Sequence, residues 1–122
     1  MSYDIDLVDE NGNRYQLDEP HHEGGTQPIC GWHETHINIT WNYSWFYYHF
    51  LDQEKGIRWL YGRKAIDCLP RLKACLLEFG TPFGSQGAEK DYWKPTPSNC
   101  MIPIRMLIEW CEKFPDGVFE GD

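Results

Sequence analysis

The polar side chains best suited to recognising a ligand lie around one alternating stretch, residues 34–43. Read as a strand, this stretch places apolar and aromatic side chains on one face and polar side chains on the other. The polar face carries Glu34, Asn38 and Asn42, whose carboxylate and amide groups can pair with the hydrogen-bonding edges of a ligand. The neighbouring segments add His21, His22, Arg58, Tyr61 and Trp93. We interpret this set as a candidate ligand- or partner-binding surface; the alternative is that the amides hold neighbouring loops in place.

Histidines are concentrated just before this strand. Four of the five lie within residues 21–36, with Glu23 and Glu34 nearby, and histidine and carboxylate ligands suit zinc and other divalent ions. On an extended segment, however, His33 and His36 point to opposite faces, and the sequence has no helical zinc motif with two histidines. A vicinal histidine pair in a glycine-rich loop more often forms hydrogen bonds to backbone. We therefore predict no metal and no other cofactor.

Recognisable catalytic motifs are absent from the sequence. It has no nucleophile elbow, no phosphate-binding loop and no dinucleotide fingerprint. Its five cysteines are odd in number and form no C-x-x-C pair, and Cys68, Cys75 and Cys111 occupy apolar positions of helical stretches. We interpret these three as core residues of a protein in a reducing cytoplasm, without a disulfide framework. The sequence thus favours binding over catalysis.

The charge distribution limits the classes of partner. A net charge of −8 argues against double-stranded nucleic acid, and no apolar run reaches the length of about 20 residues that spans a bilayer. Residues 1–23 hold seven acids against Arg14 alone, whereas residues 55–73 hold six bases against Asp67 alone. Two interpretations remain open: the two segments face each other, or the basic one forms a local anion site beside Trp59 and Tyr61.

The first half of the chain predicts a hairpin, a strand and a short helix. Residues 3–8 alternate, a turn centred on Asn11-Gly12 follows, and residues 14–17 resume an extended pattern, which is typical of a β-hairpin. The main strand runs from about residue 35 to residue 43. Ser44 is the expected N-cap of an aromatic helix over residues 45–51, and Gly56 is expected just beyond its C-terminus.

The second half predicts two amphipathic helices. The first begins at Asp67, carries Pro70 in its first turn and ends at Gly80. In the second, Pro103 marks either a kink or the true first turn. Its apolar stripe consists of Ile104, Leu107, Ile108, Cys111 and Phe114. Residues 118–119 are expected to pair briefly with a sheet edge. We therefore predict one α+β domain over residues 1–122, with a small antiparallel sheet (the N-terminal hairpin plus the central strand) and about three helices packed on one face.

The chain resembles a family of small proteins found in bacteriophages and prophages. The residues that carry the resemblance are Glu19-Pro20-His21-His22 with Gly24-Gly25-Thr26, Asn38-Ile39-Thr40-Trp41-Asn42-Tyr43, Gly56-Ile57-Arg58 with Tyr61-Gly62, Asp91-Tyr92-Trp93 with Pro95-Thr96 and Asn99, and Pro115-Asp116-Gly117-Val118 with Gly121-Asp122. It departs from the family pattern at His33, His36, Pro103 and the cysteines. The resemblance implies a phage origin; the family carries no assigned activity.

Three functional hypotheses follow. The first is a cytoplasmic phage protein that inhibits a host defence component, such as a CRISPR effector, through its acidic N-terminal hairpin or its aromatic surface. The second is a pocket for a small nucleotide-like ligand, in which Arg58, Arg63 and Lys64 neutralise phosphates while Asn38, Asn42 and Trp93 engage a base. The third is a virion or assembly protein, which predicts a homo-oligomer formed at an exposed sheet edge.

Overall fold

The computed structural model describes residues 2–18, 33–83 and 96–122. It has the predicted α+β architecture, with a three-stranded antiparallel sheet and three α-helices. The strands are β1 (Ser2–Val8), β2 (His36–Thr40) and β3 (Val118–Gly121). The helices are α1 (Ser44–Phe50), α2 (Ala65–Phe83) and α3 (Pro97–Lys113), with 3₁₀ helices at Trp41–Tyr43 and Gly56–Leu60. No helix of the described residues has the length and apolar character needed to cross a bilayer.

The sheet is ordered β2-β1-β3, so β1 is its middle strand. The expected pairing of residues 118–119 with a sheet edge is confirmed, since Phe119 lies opposite Leu7. The N-terminal hairpin differs from its prediction: the described residues 14–17 pair with the backbone of β1 at a single isolated bridge, Val8–Arg14. Instead, the backbone N–H of Leu17 donates to the His33 carbonyl at 2.6 Å. The reason is competition, because β2 and β3 occupy both edges of β1.

The main strand ends earlier than its alternation predicts. The Thr40 side chain accepts a hydrogen bond from the Asn42 backbone N–H and caps a 3₁₀ helix. This change of conformation separates two aromatic residues that strand periodicity places on one face: Tyr43 is buried, whereas Trp41 is 38% exposed. Ser44 is the first residue of α1 and not its N-cap; its hydroxyl donates to the Trp41 carbonyl at 2.5 Å. Gly56 opens a 3₁₀ helix and lies six residues after Phe50, the last residue of α1.

Both long helices begin before the residues that sequence patterns suggest. α2 starts at Ala65, which places Asp67 inside the first turn, and its backbone continues past Gly80 to Phe83. α3 starts at Pro97 because the Thr96 side chain accepts a hydrogen bond from the Asn99 N–H at 3.2 Å. Pro103 therefore lies in the interior of α3, which excludes the first-turn alternative of the two that the sequence left open.

The core lies between one face of the sheet and the helices. β1 contributes Tyr3, Ile5 and Leu7, all buried, while its alternate residues Asp4 and Asp6 point away from the core. The apolar stripes of α2 and α3 are confirmed, because the helix residues Cys68, Leu72, Cys75, Ile104, Leu107, Ile108 and Cys111 are buried in the same cluster. The packing leaves the opposite, polar face of the sheet and the outer face of α1 accessible for function.

Candidate functional site

The polar face of the sheet is an internal network of ion pairs centred on Asp6. The Asp6 carboxylate contacts His36 Nδ1 at 2.5 Å and Arg14 Nε at 3.3 Å. Arg14 also reaches Glu34 at 3.2 Å, so this predicted site residue is half-buried against a cation from its own chain. Asp6 of the acidic N-terminal segment thus pairs with Arg14 from the same segment. The second group at its carboxylate is the imidazole of His36, which lies on β2.

Asn38 belongs to the same face and is held by β1. Its amide nitrogen donates to the Ser2 hydroxyl and to the Asp4 carboxylate, both at 2.8 Å. Sequence reasoning left open whether this amide binds a ligand or ties down part of the structure. In this structure its donors join two neighbouring strands and tie β2 to β1.

Two other predicted site residues, Arg58 and Tyr61, meet at the Asp122 carbonyl. Arg58 Nε and the Tyr61 hydroxyl both donate to this oxygen at 3.3 Å. The Arg58 guanidinium lies 5.2 Å from the centroid of the Tyr3 ring and 5.6 Å from that of Trp41. Burial, followed by the charge of Asp122, raises the pKa of the Tyr61 phenol, which therefore remains a hydrogen-bond donor at neutral pH.

The remaining predicted site residues are Asn42, His21, His22 and Trp93. Asn42 is exposed in the 3₁₀ helix after β2. His21, His22 and Trp93 lie outside the described residues. The structure therefore places Glu34 and Asn38 on the polar sheet face, and Arg58 and Tyr61 at Asp122.

The largest exposed aromatic side chains surround α1, and we call Trp41, Trp45, Tyr48, His49 and Gln53 the aromatic surface. Trp45 is 62% exposed, yet its ring stacks on Phe46 with centroids 4.2 Å apart. An open groove of about 500 Å³ is lined by Trp45, Tyr48, His49 and Gln53. Trp41 stacks on Tyr3 at 5.8 Å beside Arg58. Exposed aromatic rings held by neighbours are typical of protein-binding surfaces.

Sequence reasoning invoked an aromatic surface but named none of these residues, because it treated residues 45–51 as one apolar block. Helical spacing divides the block: Trp45, Tyr48 and His49 recur at three and four residues and are exposed, whereas Phe46 and Tyr47 are buried. A helical projection of the seven residues of α1 is the signal that separates the two faces.

A second group, the arginine–tryptophan cluster, consists of Trp59, Arg63 and Arg71. Both guanidinium carbons lie 4.2 Å from the centroid of the Trp59 ring. Arg63 Nε donates to the Trp59 carbonyl at 2.8 Å, and Arg71 pairs with Asp52 at 2.9 Å. An anion site beside Trp59 and Tyr61 was one of the two interpretations that the sequence left open. Of the six bases in residues 55–73, the structure brings Arg63 and Arg71 to the Trp59 ring.

A second open groove, of about 550 Å³, lies between the β1 turn and β3. It is lined by Asp9, Glu10, Asn11, Tyr15, Lys64, Asp116 and Val118. Burial, then the charges of Asp9 and Asp116, raises the pKa of the Tyr15 phenol. Lys64 thus brings one charge of the basic segment to the acidic turn. Within residues 2–18, 33–83 and 96–122, no group of three or more histidine, cysteine or acidic side chains is placed to hold a metal ion.

The described thiols are buried and poorly suited to nucleophilic chemistry. Burial raises the pKa of Cys68 to about 11 and that of Cys75 and Cys111 to about 12. The pKa of Cys100 is also raised, by burial and then by Cys75. A thiol that stays protonated at neutral pH is a weak nucleophile and a poor metal ligand. The interpretation of Cys68, Cys75 and Cys111 as core residues is confirmed.

Comparisons with protein-family models, curated proteins and solved structures find no match for this chain. The choice among the sites therefore rests on their geometry. The polar sheet face satisfies its own donors and charges, whereas the aromatic surface presents stacked rings to solvent. The second arrangement is the one suited to binding another molecule.

Proposed function

We propose that this chain is a phage-encoded binding protein that blocks a host defence component, such as a CRISPR effector, by protein–protein contact in the host cytoplasm. The contact is made by the aromatic surface. The observation that carries the proposal is Trp45, whose indole is 62% exposed while it stacks on Phe46. Large aromatic side chains that are rigid before binding lose little entropy when a partner covers them.

The aromatic surface is a better contact than the acidic face. Binding through Asp6 or Glu34 requires the partner to compete with Arg14, which already pairs with both carboxylates, and with His36, whose Nδ1 is hydrogen-bonded to Asp6. Covering Trp45 and Tyr48 breaks no such pairs and removes apolar area from water, which is favourable by about 25 cal/mol per Å². The partner surface that fits is therefore an apolar one, with polar groups at its rim for His49 and Gln53.

The host-defence partner is inferred from the phage resemblance together with this binding surface. A small phage protein can stop a much larger host protein by occupying a single functional patch, and it needs no catalytic group to do so. This mode of action agrees with buried thiols of raised pKa and with a polar sheet face that is engaged internally.

The test is the variant Trp45→Ala, with Ile66→Ala as the matched control. Ile66 is 49% exposed and lies on α2, outside the aromatic surface. Loss of an interface tryptophan of this type weakens binding by about 30-fold or more. We expect the wild-type protein and Ile66→Ala to raise phage plating on a defence-carrying host and to retain the same host protein in affinity purification, and we expect Trp45→Ala to do neither.

Circular dichroism melts show whether Trp45→Ala still folds, and Trp45→Phe, which retains a stacked ring, should keep most of the binding. Undiminished activity of a folded Trp45→Ala variant would contradict the role of the aromatic surface. No effect of the wild-type protein on any tested defence, combined with its presence in purified virions, would favour the assembly hypothesis instead.

A further inference from the structure

We infer that the arginine–tryptophan cluster of Trp59, Arg63 and Arg71 is a phosphate-binding site. This inference is independent of the proposed protein contact, and its test needs no partner protein. The cluster brings two guanidinium groups to one indole ring, each with its central carbon 4.2 Å from the ring centroid. Such stacking stabilises an arginine and fixes the plane of its guanidinium group.

Arg63 has donors left for a ligand. Its Nε is engaged by the Trp59 carbonyl at 2.8 Å, which together with the ring contact holds the side chain in one orientation. Within the described part of the chain, no carboxylate lies within ion-pair distance of Arg63, and its side chain is exposed. The two terminal nitrogens of this guanidinium are therefore oriented before a ligand arrives, which lowers the entropic cost of binding.

Arg71 supplies the second half of the site. One of its terminal nitrogens donates to Asp52 at 2.9 Å, and its side chain is still 43% exposed. Asp52 neutralises one of the two guanidinium charges, so the cluster keeps a net positive charge. The surrounding segment, residues 55–73, contributes further bases such as Lys64 against a single acid. The local field is therefore positive within a protein whose net charge is −8.

The ligand contacts must come from side chains, because the start of α2 is not free to bind an anion. The backbone N–H groups of Ala65 and Ile66 donate to the carbonyls of Gly117 and Pro115 at 2.8 and 3.0 Å. Those of Asp67 and Cys68 donate to the Lys64 carbonyl at 3.0 and 3.2 Å. With these groups occupied, the arginines are the donors available in this region.

A phosphate group fits two guanidinium groups better than a carboxylate does. A carboxylate has two oxygens, and one guanidinium fork already satisfies both. A phosphate monoester or inorganic phosphate carries three or more acceptor oxygens and close to two negative charges at neutral pH, so it has acceptors and charge for more than one guanidinium group of the cluster. The phosphate can be free or part of a small ester, and both sources present the same oxygens.

The test is an NMR titration of the whole chain at constant ionic strength. The probes are the Arg63 Nε–H signal, which its hydrogen bond to the Trp59 carbonyl protects from exchange, and the Trp59 indole N–H signal. We expect inorganic phosphate to shift both signals in a saturable manner, whereas chloride does not. A second titration with adenosine monophosphate distinguishes the sources: equal affinity indicates recognition of phosphate alone, and tighter binding indicates an ester whose organic part adds contacts.

Three variants make the outcome specific. Arg63→Gln should weaken phosphate binding by about tenfold, because it removes a charge-assisted pair. The control Arg105→Gln removes an exposed charge from α3 and should leave the affinity unchanged. Arg63→Lys, which keeps the charge without the fork, should give an intermediate affinity and covers the case in which Arg63→Gln fails to fold. Shifts that never saturate, or equal affinities in wild type, Arg63→Lys and Arg105→Gln, would overturn the inference.

Discussion

Asn38 donates its amide hydrogens within the sheet, to the Ser2 hydroxyl and to the Asp4 carboxylate. Removing them leaves a half-buried hydroxyl and an exposed carboxylate of β1 without this partner. We predict that Asn38→Ala lowers the free energy of unfolding by about 1 kcal/mol. The matched control is Asn11→Ala in the exposed turn after β1, expected to change it by less than about 0.5 kcal/mol. Urea unfolding of the two variants is the measurement.

The isosteric change Asn38→Asp sharpens this prediction. It replaces the donor that Asp4 uses with a second carboxylate, so like charges meet at hydrogen-bonding distance. At neutral pH we expect a greater loss of stability than in Asn38→Ala. Because repulsion raises the pKa of the pair, the loss should shrink as pH falls and one carboxylate takes up a proton. Equal stability of Asn38→Ala and wild type would instead return this amide to the set of ligand-binding groups.

The element that positions the aromatic surface is the junction between α1 and the following 3₁₀ helix. Gly56 has a φ of +60°, and a Cβ placed on it would lie 3.2 Å from Tyr48 Cδ2. Gly62 has a φ of +82° with no atom within 4 Å of such a Cβ. Gly62→Ala therefore tests backbone strain alone, which costs about 1–2 kcal/mol. We predict that Gly56→Ala costs more than this and displaces the Tyr48 ring.

Urea unfolding measures the loss of stability in each of the two glycine variants. The difference between the two losses is the contribution of the contact with the Tyr48 ring. Near-ultraviolet circular dichroism, which reports the packing of aromatic rings, should change in Gly56→Ala and stay as in wild type in Gly62→Ala. Equal losses of stability with unchanged spectra would contradict the prediction, because they would show that the added methyl group neither displaces the Tyr48 ring nor costs more than backbone strain.

Several elements can be predicted from local sequence. The hairpin cannot, because it depends on residues far away in the chain. The stripe from Ile104 to Cys111 and the alternation of β1 predict their buried faces because each depends on periodicity within one segment. The hairpin was not predictable in this way. Residues 14–17 have strand character, but β2 and β3 compete for the same edges of β1, and that competition depends on residues far away in the chain.

The candidate sites also differ in whether local sequence is enough to predict them. The aromatic surface was recoverable from sequence, since the spacing of Trp45, Tyr48 and His49 suffices once α1 is known to be a helix. The arginine–tryptophan cluster was recoverable only in part. Arg63 lies four residues after Trp59, but Arg71 reaches the ring through the packing of α2 against the preceding segment, which no local pattern contains.

At the scale of the whole molecule, the buried thiols predict a loss of stability in alkali. Their ordinary pKa is near 9, whereas burial raises that of Cys68 to about 11 and that of Cys75 and Cys111 to about 12. Above pH 9 the unfolded chain releases protons that the folded chain keeps. The stabilisation is therefore complete below pH 9 and is lost as pH rises toward 12.

Each such thiol lowers the free energy of unfolding by about 1.4 kcal/mol per pH unit in that range. Urea unfolding at several pH values between about 9 and 11 gives the slope. The variant Cys75→Ala, which removes one ionising group, should decrease the slope by about the contribution of one thiol, whatever its cost at neutral pH. A free energy of unfolding that is constant from pH 8 to 11 would contradict the prediction.

The placement of β1 between β2 and β3 also has a consequence for biosynthesis. β1 leaves the ribosome early, but its second neighbour, Val118–Gly121, is translated only after both long helices. Throughout that interval the nascent chain carries an open strand edge, and such edges promote aggregation. Asp4 and Asp6 alternate with the apolar residues of this strand, and charges at such positions disfavour pairing with other chains. The acids that join the finished sheet through Asn38 and His36 thus also protect the unfinished polypeptide during translation.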